Sequence, residues 1–492
     1  MIHTGVSFTT TDKKLDRLYG SAKDTLFASV KNFGERKLLT DAPNEDTVTL
    51  NYSPMSAETL ADYDLAVALD TVTAFLLTLR KDGRLPSSIS YENGEIRPSY
   101  EILTGFGFIE EALRLAYLAK NKNSSYTKQL YETLCRFDEY LWTKHDLNAN
   151  GCLEVFEEKD TEEGVDSGRF PPIKMMQNGT ERTVSPFPVE TFDLMAEAFC
   201  VRKALSELSL MLGKAESAKK WQEKAAAIAE KIRSFLWLGG FHACFDRDYR
   251  GSIISTLSIH NLFLLYFGAI DNAMAEAVIQ NHILNPNEFW TPMPLPTLAQ
   301  THSHFDSQKE FCGPPRGTTY RRALRAFENY GHYSLTTEIG KKLLATTGEQ
   351  NIFPVCFDLL TGEPLHADRQ SEYTPTASAV LETIKRFFGV YTDRESVCWG
   401  CLGHENATSE YTFTWGNDTY SLETKDGIST GSINGTRIFT VTAGTRIFTD
   451  IYGTSMRIAN ATPEAIDCIC VCRGRTFSLH LAPNEVKDIT NS

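Results

Sequence analysis

Helical segments recur along roughly the first 390 residues, and this recurrence most constrains the fold. Apolar side chains return every three or four residues in segments such as 56–80, 126–144, 189–212 and 215–238. Gly213 separates the last two segments, which is typical of a helical hairpin. About a dozen such helices, joined by alternating short and long loops, favour an α/α toroid over other helical folds. A superhelical repeat array is the alternative, but the sequence has no fixed period of roughly 20 to 50 residues.

The hydrophobic pattern changes at about Cys401 from helical recurrence to alternation. Short runs such as 411–415 and 437–442 are rich in β-branched and aromatic residues and are separated by Gly, Asn and Asp. We therefore predict a mainly α chain with a helical domain over residues 1–395 and a small β-sandwich over residues 400–492. The chain is expected to open directly with an amphipathic helix.

Composition and charge exclude several classes of partner. With 42% hydrophobic and 23% charged residues the chain has an ordinary globular balance, and its net charge of −14 argues against a nucleic-acid surface. The first residues lack the apolar core of a signal peptide, and no apolar run approaches the roughly 18 residues of a membrane span. We expect a cytoplasmic protein without membrane or nucleic-acid partners. The 11 scattered cysteines fit reduced thiols better than a disulfide framework.

An acidic loop that follows the helix at 126–144 is the first candidate for chemistry. Within it Asp166 lies between Gly164 and Gly168, with Arg169 nearby. A carboxyl in such a loop can approach a bound ligand closely and have its pKa tuned. The alternative is an ordinary acidic surface loop.

Two patterns point toward metal chemistry but are interpreted differently. Residues 146–157 match the EF-hand pattern D-x-N-x-N-G-x5-E, yet the following segment is interrupted by Gly and Pro where an EF-hand has its second helix. We interpret Asn150 and Gly151 as a turn and keep calcium as the alternative. Cys398 and Cys401 form a CxxC pair, but no second pair completes a zinc site. The sequence therefore predicts neither a metal nor a cofactor.

The acidic loop resembles the general-acid loop of the inverting (α/α)6-barrel glycosidases. The matching stretches are D-x-N-x-N-G-x-L from Asp146 and E-x-G-x-D-S-x-R-F from Glu162. This clan contains trehalase, processing α-glucosidase I and the mannosylglycerate and glucosylglycerate hydrolases. The resemblance implies an (α/α)6 toroid over residues 1–395, with Asp166 as the proton donor and Arg169 beside the substrate.

Three further stretches resemble the substrate loops of the same clan. Asp82 begins a D-G-x-x-P turn, Trp290 belongs to a stretch similar to F-W-x-x-x-x-P-S-x-A, and Arg316 and Tyr320 belong to one similar to Y-W-R-G-x-x-W. The resemblance implies that these four residues bind substrate, with Trp290 as a stacking platform. Packing of Trp290 in the core is the alternative. Pro315 stands in place of the first Trp of the last motif, which alters the aromatic wall.

The second carboxylate departs from the pattern of the clan. An inverting glycosidase needs a protonated donor and a base roughly 6.5–9.5 Å apart. In the clan the base opens an E-x-Y-x-P-x-T-G loop, but the matching stretch here begins with Val355, which cannot accept a proton. We expect Glu372 to serve as the base, with Glu349 as the second candidate. Glu372 could instead be a helix-entry carboxylate that stabilises the helix dipole.

These features predict a glycoside hydrolase that cleaves a small α-linked glucoside or mannoside with inversion, with a small carbohydrate as its partner. A second hypothesis is a catalytically degenerate sugar-binding or scaffold protein of the same fold, which Val355 and Pro315 favour. A third is a related toroid enzyme such as an α-L-rhamnosidase.

Overall fold

The computed structural model describes residues 2–120, 124–162, 167–177, 180–365, 371–404 and 406–490. Helices and strands both contribute to these ranges, so the chain is mixed rather than mainly α. The α-helices of the described part are α1 (Lys13–Ala28), α2 (Ser53–Leu60), α3 (Leu65–Leu77), α4 (Ile109–Leu118), α5 (Ser125–Lys144), α6 (Phe192–Met211), α7 (Ala215–Lys231), α8 (Asn261–Phe267), α9 (Asn272–Val278), α10 (Gly317–Asn329), α11 (Tyr333–Gln350) and α12 (Thr374–Phe388).

The even-numbered helices form a closed ring. Helix α2 contacts α4, α4 contacts α6, α6 contacts α8, α8 contacts α10, α10 contacts α12, and α12 contacts α2. Every residue of α2, α8 and α12 is buried, as expected for helices enclosed on all sides. Helices α1, α3, α5, α7 and α11 pack outside this ring against one or two of its members. The amphipathic patterns of α1, α5 and α7 fit one buried and one exposed face.

Loop lengths alternate around the ring. Loops that lead into the inner helices are long, as at residues 145–191 and 284–316, whereas loops that leave them are short, as at 212–214 and 330–332. Helices joined by such short turns run antiparallel. The long loops therefore gather at the end of the ring where the inner helices begin, and this end is the place to look for a site.

Local sequence signals explain where the helices begin. The predicted single helix over 56–80 is two helices, because Asp64 accepts hydrogen bonds from the backbone N–H groups of Ala66 and Val67 at 3.1 and 3.2 Å and caps α3. Pro54 and Pro375 occupy the first turns of α2 and α12, where a missing N–H costs nothing.

Short strands accompany the helices in the first part of the chain. They are β1 (Thr4–Thr10), β2 (Val30–Phe33), β3 (Arg36–Leu39), β4 (Thr47–Thr49), β5 (Ser88–Glu92), β6 (Glu95–Ser99), β7 (Glu154–Val155), β8 (Ile173–Gln177), β9 (Thr180–Val184), β10 (Val189–Glu190), β11 (Trp237–Leu238), β12 (Ala243–Cys244), β13 (Asp246–Arg247), β14 (Ile253–Ile254), β15 (Cys356–Phe357) and β16 (Pro364–Leu365). Most of them form two- to four-stranded sheets within the long loops.

The C-terminal part consists of two antiparallel sheets. Its strands are β17 (Val390–Asp393), β18 (Ser396–Cys401), β19 (Ser409–Trp415), β20 (Asp418–Lys425), β21 (Ile428–Ile433), β22 (Thr436–Thr442), β23 (Thr445–Asp450), β24 (Met456–Asn460), β25 (Ile466–Cys472), β26 (Arg475–Leu481) and β27 (Val486–Asp488). One sheet has the order β1-β19-β20-β21-β22-β25-β26 and the other β17-β18-β23-β24-β27. The two sheets face each other, because the ring of Trp399 on β18 contacts Tyr420 and Phe439 of the larger sheet.

The first strand corrects the expectation that the chain opens with a helix. Strand β1 pairs along its full length with β19, from Thr4 opposite Trp415 to Thr10 opposite Ser409. Residues from opposite ends of the sequence therefore share one sheet. No helix of the described part is both long enough and apolar enough to cross a membrane.

Candidate active site

A cavity lies where the long loops meet the first turn of α10 and the start of α8. It measures about 460 Å³ when the open solvent at its mouth is included, and the centre of a water molecule can occupy about 30 Å³ of it. Apolar side chains form one part of its lining, and Glu162, His260, Arg316 and Arg322 form the polar part. Walls that combine apolar surface with a few fixed polar groups are typical of small-molecule sites. The further lining residues are Ile259, Leu262, Phe263, Thr297, Phe311, Thr318 and Thr319.

Glu162 and Arg322 form a buried ion pair in the cavity wall. Oε2 of Glu162 lies 2.6 Å from Nη1 of Arg322. Burial opposes the charge of the carboxylate, but Arg322, Arg316 and His260 together hold the pKa of Glu162 below its usual value. The guanidinium of Arg322 also lies over the ring of Phe263, 4.8 Å from its centroid. The cavity therefore contains an ionised carboxylate in a largely apolar setting.

Arg316 approaches the cavity from the loop that enters α10. Its Nη2 donates to the Tyr52 hydroxyl at 3.2 Å and lies 3.3 Å from Oε1 of Glu310. The next residue, Gly317, allows α10 to meet α12 closely, since a Cβ there would clash with the side chain of Thr376. This close approach fixes the position of Arg316 at the rim of the helical ring.

Arg169 anchors the acidic loop from within the core. Its side chain is fully buried and donates from Nε to Asp246 at 2.9 Å and from Nη1 to Asp193 at 2.6 Å. His260, which lines the cavity, places Nδ1 2.7 Å from Asp193 and also contacts Arg169. Burial opposes the charge of Asp193, but Arg169 and His260 hold its pKa well below its usual value. Burial raises the pKa of Asp246 to about 6.

Comparison with known families shows which family the chain belongs to. The family model of the mannosylglycerate hydrolase MGH1-like glycoside hydrolase domain matches residues 53–374, which include the acidic loop and all the lining residues. The chain belongs to this family of glycoside hydrolases. No curated protein sequence matches it.

Solved structures with a similar fold are also glycosidases. The GH63 mannosylglycerate hydrolase from Thermus thermophilus, in complex with glucose, has a TM-score of 0.61 and 15% identity, and the match covers 74% of this chain and 99% of that one. A GH78 rhamnosidase from Bacillus sp. GL1 has a TM-score of 0.62 and 11% identity, and the match covers 87% of this chain and 41% of that one. The neutral trehalase from Saccharomyces cerevisiae has a TM-score of 0.53 and 12% identity, and the match covers 71% of this chain and 73% of that one. Because these identities are low, the similarity to the three structures shows a shared fold and nothing more.

The two residues predicted to be catalytic in this MGH1-like chain are not both visible. Asp166 lies outside the described residues. The backbone of Glu372 forms a bridge with Phe353, while its side chain is exposed and, within the described ranges, makes no hydrogen bond or ion pair. Glu349 pairs with Lys14 on the outside of the helical ring. Val355 accepts a hydrogen bond from the N–H of Gly317 at 2.9 Å through its carbonyl oxygen.

Of the residues predicted to bind substrate, Arg316 lines the cavity and Arg169 lies directly behind it. Asp82 is in an exposed turn, where Arg80 donates to it and lowers its pKa. Trp290 is half-buried against the core and Tyr320 is fully buried, with its hydroxyl donating to the carbonyl of Pro294 at 2.5 Å. These three residues are not part of the cavity lining.

The turn that matched the calcium-loop pattern is held by its own side chains. Asn148 and Asn150 donate to the carboxylate of Glu190, and the N–H of Gly151 donates to Asp146 at 3.3 Å. Within the described residues no group of three or more His, Cys, Asp or Glu side chains is arranged to hold a metal ion.

Sequence reasoning missed several residues that form the cavity. Glu162 had a signal, since it opens the E-x-G-x-D-S-x-R-F stretch four residues before Asp166. Arg322 had a weaker one, because a buried helix that carries three arginines requires buried carboxylates as partners. His260 is a single residue in a long loop and carried no signal at all, and the same holds for Tyr52, which lies outside the lining and contacts Arg316.

Proposed function

We propose that this member of the MGH1-like family is an inverting glycoside hydrolase that acts on a small α-linked glucoside or mannoside. The observation that carries the proposal is the cavity at the loop end of the helical ring, with the buried Glu162–Arg322 pair beside the acidic loop. We also propose that residues 1–395 form an (α/α)6 toroid and residues 400–492 a β-sandwich, to whose sheets β1 and β17 also contribute.

The lining of the cavity suits a sugar ring. Apolar walls such as Phe263 and Phe311 match the C–H faces of a pyranose, and the carboxylate and guanidinium groups match its hydroxyl groups. Glu162, Arg316 and Arg322 are assigned to these hydroxyl groups. Asp82, Trp290 and Tyr320 stay predictions for substrate binding, because the cavity lining does not include them.

Asp166 is proposed as the proton donor. In an inverting reaction the donor protonates the glycosidic oxygen while a base on the other side of the sugar activates one water molecule. Arg169, three residues later, is held by Asp193 and Asp246 and thereby fixes the C-terminal end of the loop that carries Asp166. Glu372 was predicted to be the base and stays a candidate for that role.

A substrate screen tests this function. The protein would be incubated with α-glucosides, α-mannosides, α-L-rhamnosides and mannosylglycerate, and the anomeric configuration of the first product would be read by NMR. We expect cleavage of an α-glucoside or α-mannoside with release of the β-anomer. Asp166→Asn should lower turnover by at least about 10²-fold, because the amide keeps the shape but cannot donate the proton. Cleavage with retention, or full activity of the Asp166→Asn variant, would refute the proposal.

Two alternatives have their own support. The rhamnosidase match covers 87% of the chain and so extends into the C-terminal sheets, whereas the mannosylglycerate hydrolase match covers 74%. An α-L-rhamnosidase is therefore the second candidate, and the rhamnosides in the screen test it. Val355 supports a sugar-binding protein without activity. In that case calorimetry would detect sugar binding while no glycoside is cleaved.

A further inference from the structure

Glu310 lies beside the cavity, and we propose that it is the catalytic base that compensates for the valine at position 355. Oε1 of Glu310 lies 3.3 Å from Nη2 of Arg316, and the side chain of Glu310 is 40% exposed. Its neighbour Phe311 lines the cavity. Water therefore reaches the carboxylate, while the contact with Arg316 keeps it beside the cavity. This inference rests on the proposed hydrolase function.

Glu310 also lies close to the segment where the base is expected from the family resemblance. Arg316 pairs with Cys356 in a β-bridge, and the N–H of Gly317 donates to the carbonyl of Val355 at 2.9 Å. Burial raises the pKa of Cys356 to about 12; Arg316 lowers this pKa and Glu310 raises it further, so both charges lie near the thiol. The loop that enters α10 thus delivers a carboxylate to a region where the loop that enters α12 has none at position 355.

Other nearby carboxylates are less suited to this role. Glu162 is paired with Arg322 and only 5% of its side chain is exposed, so it is much less accessible to water than Glu310. Both carboxylate oxygens of Asp41 accept hydrogen bonds, from Thr49 at 2.6 Å and Ser53 at 2.7 Å. These bonds hold Asp41 at the start of α2, where its side chain is buried away from solvent water.

The proposed step needs no additional reactant. The carboxylate of Glu310 takes a proton from water as the water oxygen forms a bond to the anomeric carbon. The bond from that carbon to the glycosidic oxygen breaks, and Asp166 gives its proton to the departing oxygen. The products are the sugar with an inverted anomeric hydroxyl group and the free alcohol. Proton exchange with solvent then restores both carboxyl groups.

Variants of Glu310 test the role with the glycoside that the wild-type protein cleaves best in the screen. Glu310→Gln and Glu310→Ala should lower kcat by about 10²–10⁴-fold with little change in KM. Azide needs no deprotonation to attack, so Glu310→Ala with sodium azide should form a glycosyl azide of inverted configuration. Glu230→Gln is the control, because Glu230 is 66% exposed on α7. Thermal unfolding would verify that each variant is folded.

The outcomes separate this inference from the proposed function. The inference about Glu310 is overturned if its variants keep activity within tenfold of the wild type. It is also overturned if their activity is lost and azide does not restore it. If the Glu310 variants stay active, while Glu372→Gln and Glu372→Ala lose activity and azide rescues Glu372→Ala, the base is Glu372. If the wild-type protein cleaves no glycoside, the proposed function fails and the inference fails with it. If Glu310→Ala does not fold, the isosteric Glu310→Gln variant decides.

Discussion

Glu162 and Arg322 lie 2.6 Å apart, and only 5% of each side chain is exposed. Burial opposes the carboxylate charge, yet Arg322 and the other nearby cations hold the pKa of Glu162 below its usual value. Opposite charges at this depth are retained because neither can be neutralised without leaving the other unpaired. The pair therefore couples the stability of the fold to the shape of the cavity.

The Glu162→Gln variant should be both less stable and less active than the wild type. It leaves Arg322 without its opposite charge, so we expect the free energy of unfolding to fall by about 3–5 kcal/mol at pH 7 and kcat/KM to fall by at least about tenfold. Because the folded-state pKa of Glu162 is lowered, the stability that its charge provides is present above the ordinary glutamate pKa and is lost as the pH falls through the lowered value. Urea unfolding at several pH values checks this. Glu157→Gln, at a 55% exposed position of the same loop, is the control. Equal stability of Glu162→Gln and wild type at pH 7 would contradict it.

Arg169→Lys should displace the acidic loop. Arginine donates to Asp193 and to both oxygens of Asp246 from three separate nitrogens, and the single nitrogen of lysine cannot reproduce that geometry. We expect the free energy of unfolding to fall by about 3–5 kcal/mol and kcat to fall more than KM changes. Arg182→Lys, at an exposed position of β9, should behave as wild type. A normal kcat for Arg169→Lys would show that the anchor does not position the donor.

The sequence predicted the helical part and missed the details of the site for physical reasons. Periodicity identified most of the helices, because amphipathic helices such as α5 and α7 carry their burial pattern in the sequence. It could not separate α2 from α3, since both are largely buried and show little periodicity. The pairing of β1 with β19 joins residues about 400 positions apart, and no local pattern reports such a contact.

The same distinction between local sequence patterns and long-range contacts applies to the residues of the candidate site. Arg316 was predicted because a short motif contains it, and Arg169 because it lies at the end of the acidic loop; Arg316 lines the cavity and Arg169 contacts His260 behind it. Glu310 and His260 were missed, since their roles depend on which long loops meet in space. Tyr320 was predicted at the substrate and stays a prediction; it lies one turn into α10, buried, with its hydroxyl donating to the carbonyl of Pro294.

Glu197→Gln should change how stability depends on pH. Burial, with a smaller contribution from Asp193, raises the pKa of Glu197 to about 8, and the side chain accepts a hydrogen bond from the N–H of Gly105 at 2.8 Å. Between the ordinary pKa of 4.5 and about 8 the folded state keeps a proton that the unfolded state releases. Stability of the wild type should therefore fall with rising pH, by up to about 1.4 kcal/mol per pH unit from this group.

The glutamine variant keeps the acceptor oxygen but has no proton to lose, so this decline should be absent. Urea unfolding from pH 5 to pH 8 gives the slope directly, with Glu216→Gln on the exposed side of α7 as the control. Parallel curves for Glu197→Gln and wild type would show that Glu197 ionises in the folded state as it does in the unfolded one.

Arg446→Met should weaken the junction between the C-terminal sheets and the helical ring. Arg446 on β23 is buried and contacts Glu328 on α10, which also accepts a hydrogen bond from Nε of Arg386 on α12 at 3.0 Å. Burial opposes the charge of Glu328, but the two arginines hold its pKa below the usual value. Arg386 still pairs with Glu328 when Arg446 is replaced, so we expect the free energy of unfolding to fall by only about 3 kcal/mol.

A double-mutant cycle with Glu328→Gln isolates the contact. If Arg446 acts through Glu328, the two changes should be non-additive by at least about 0.5 kcal/mol, and the effect of Arg446→Met should shrink as the pH falls through the lowered pKa of Glu328. Arg437→Met, at an exposed position of β22, controls for the loss of a strand arginine. Additive effects, or an Arg446→Met penalty that does not depend on pH, would mean that Arg446 stabilises the junction by packing and not by its charge.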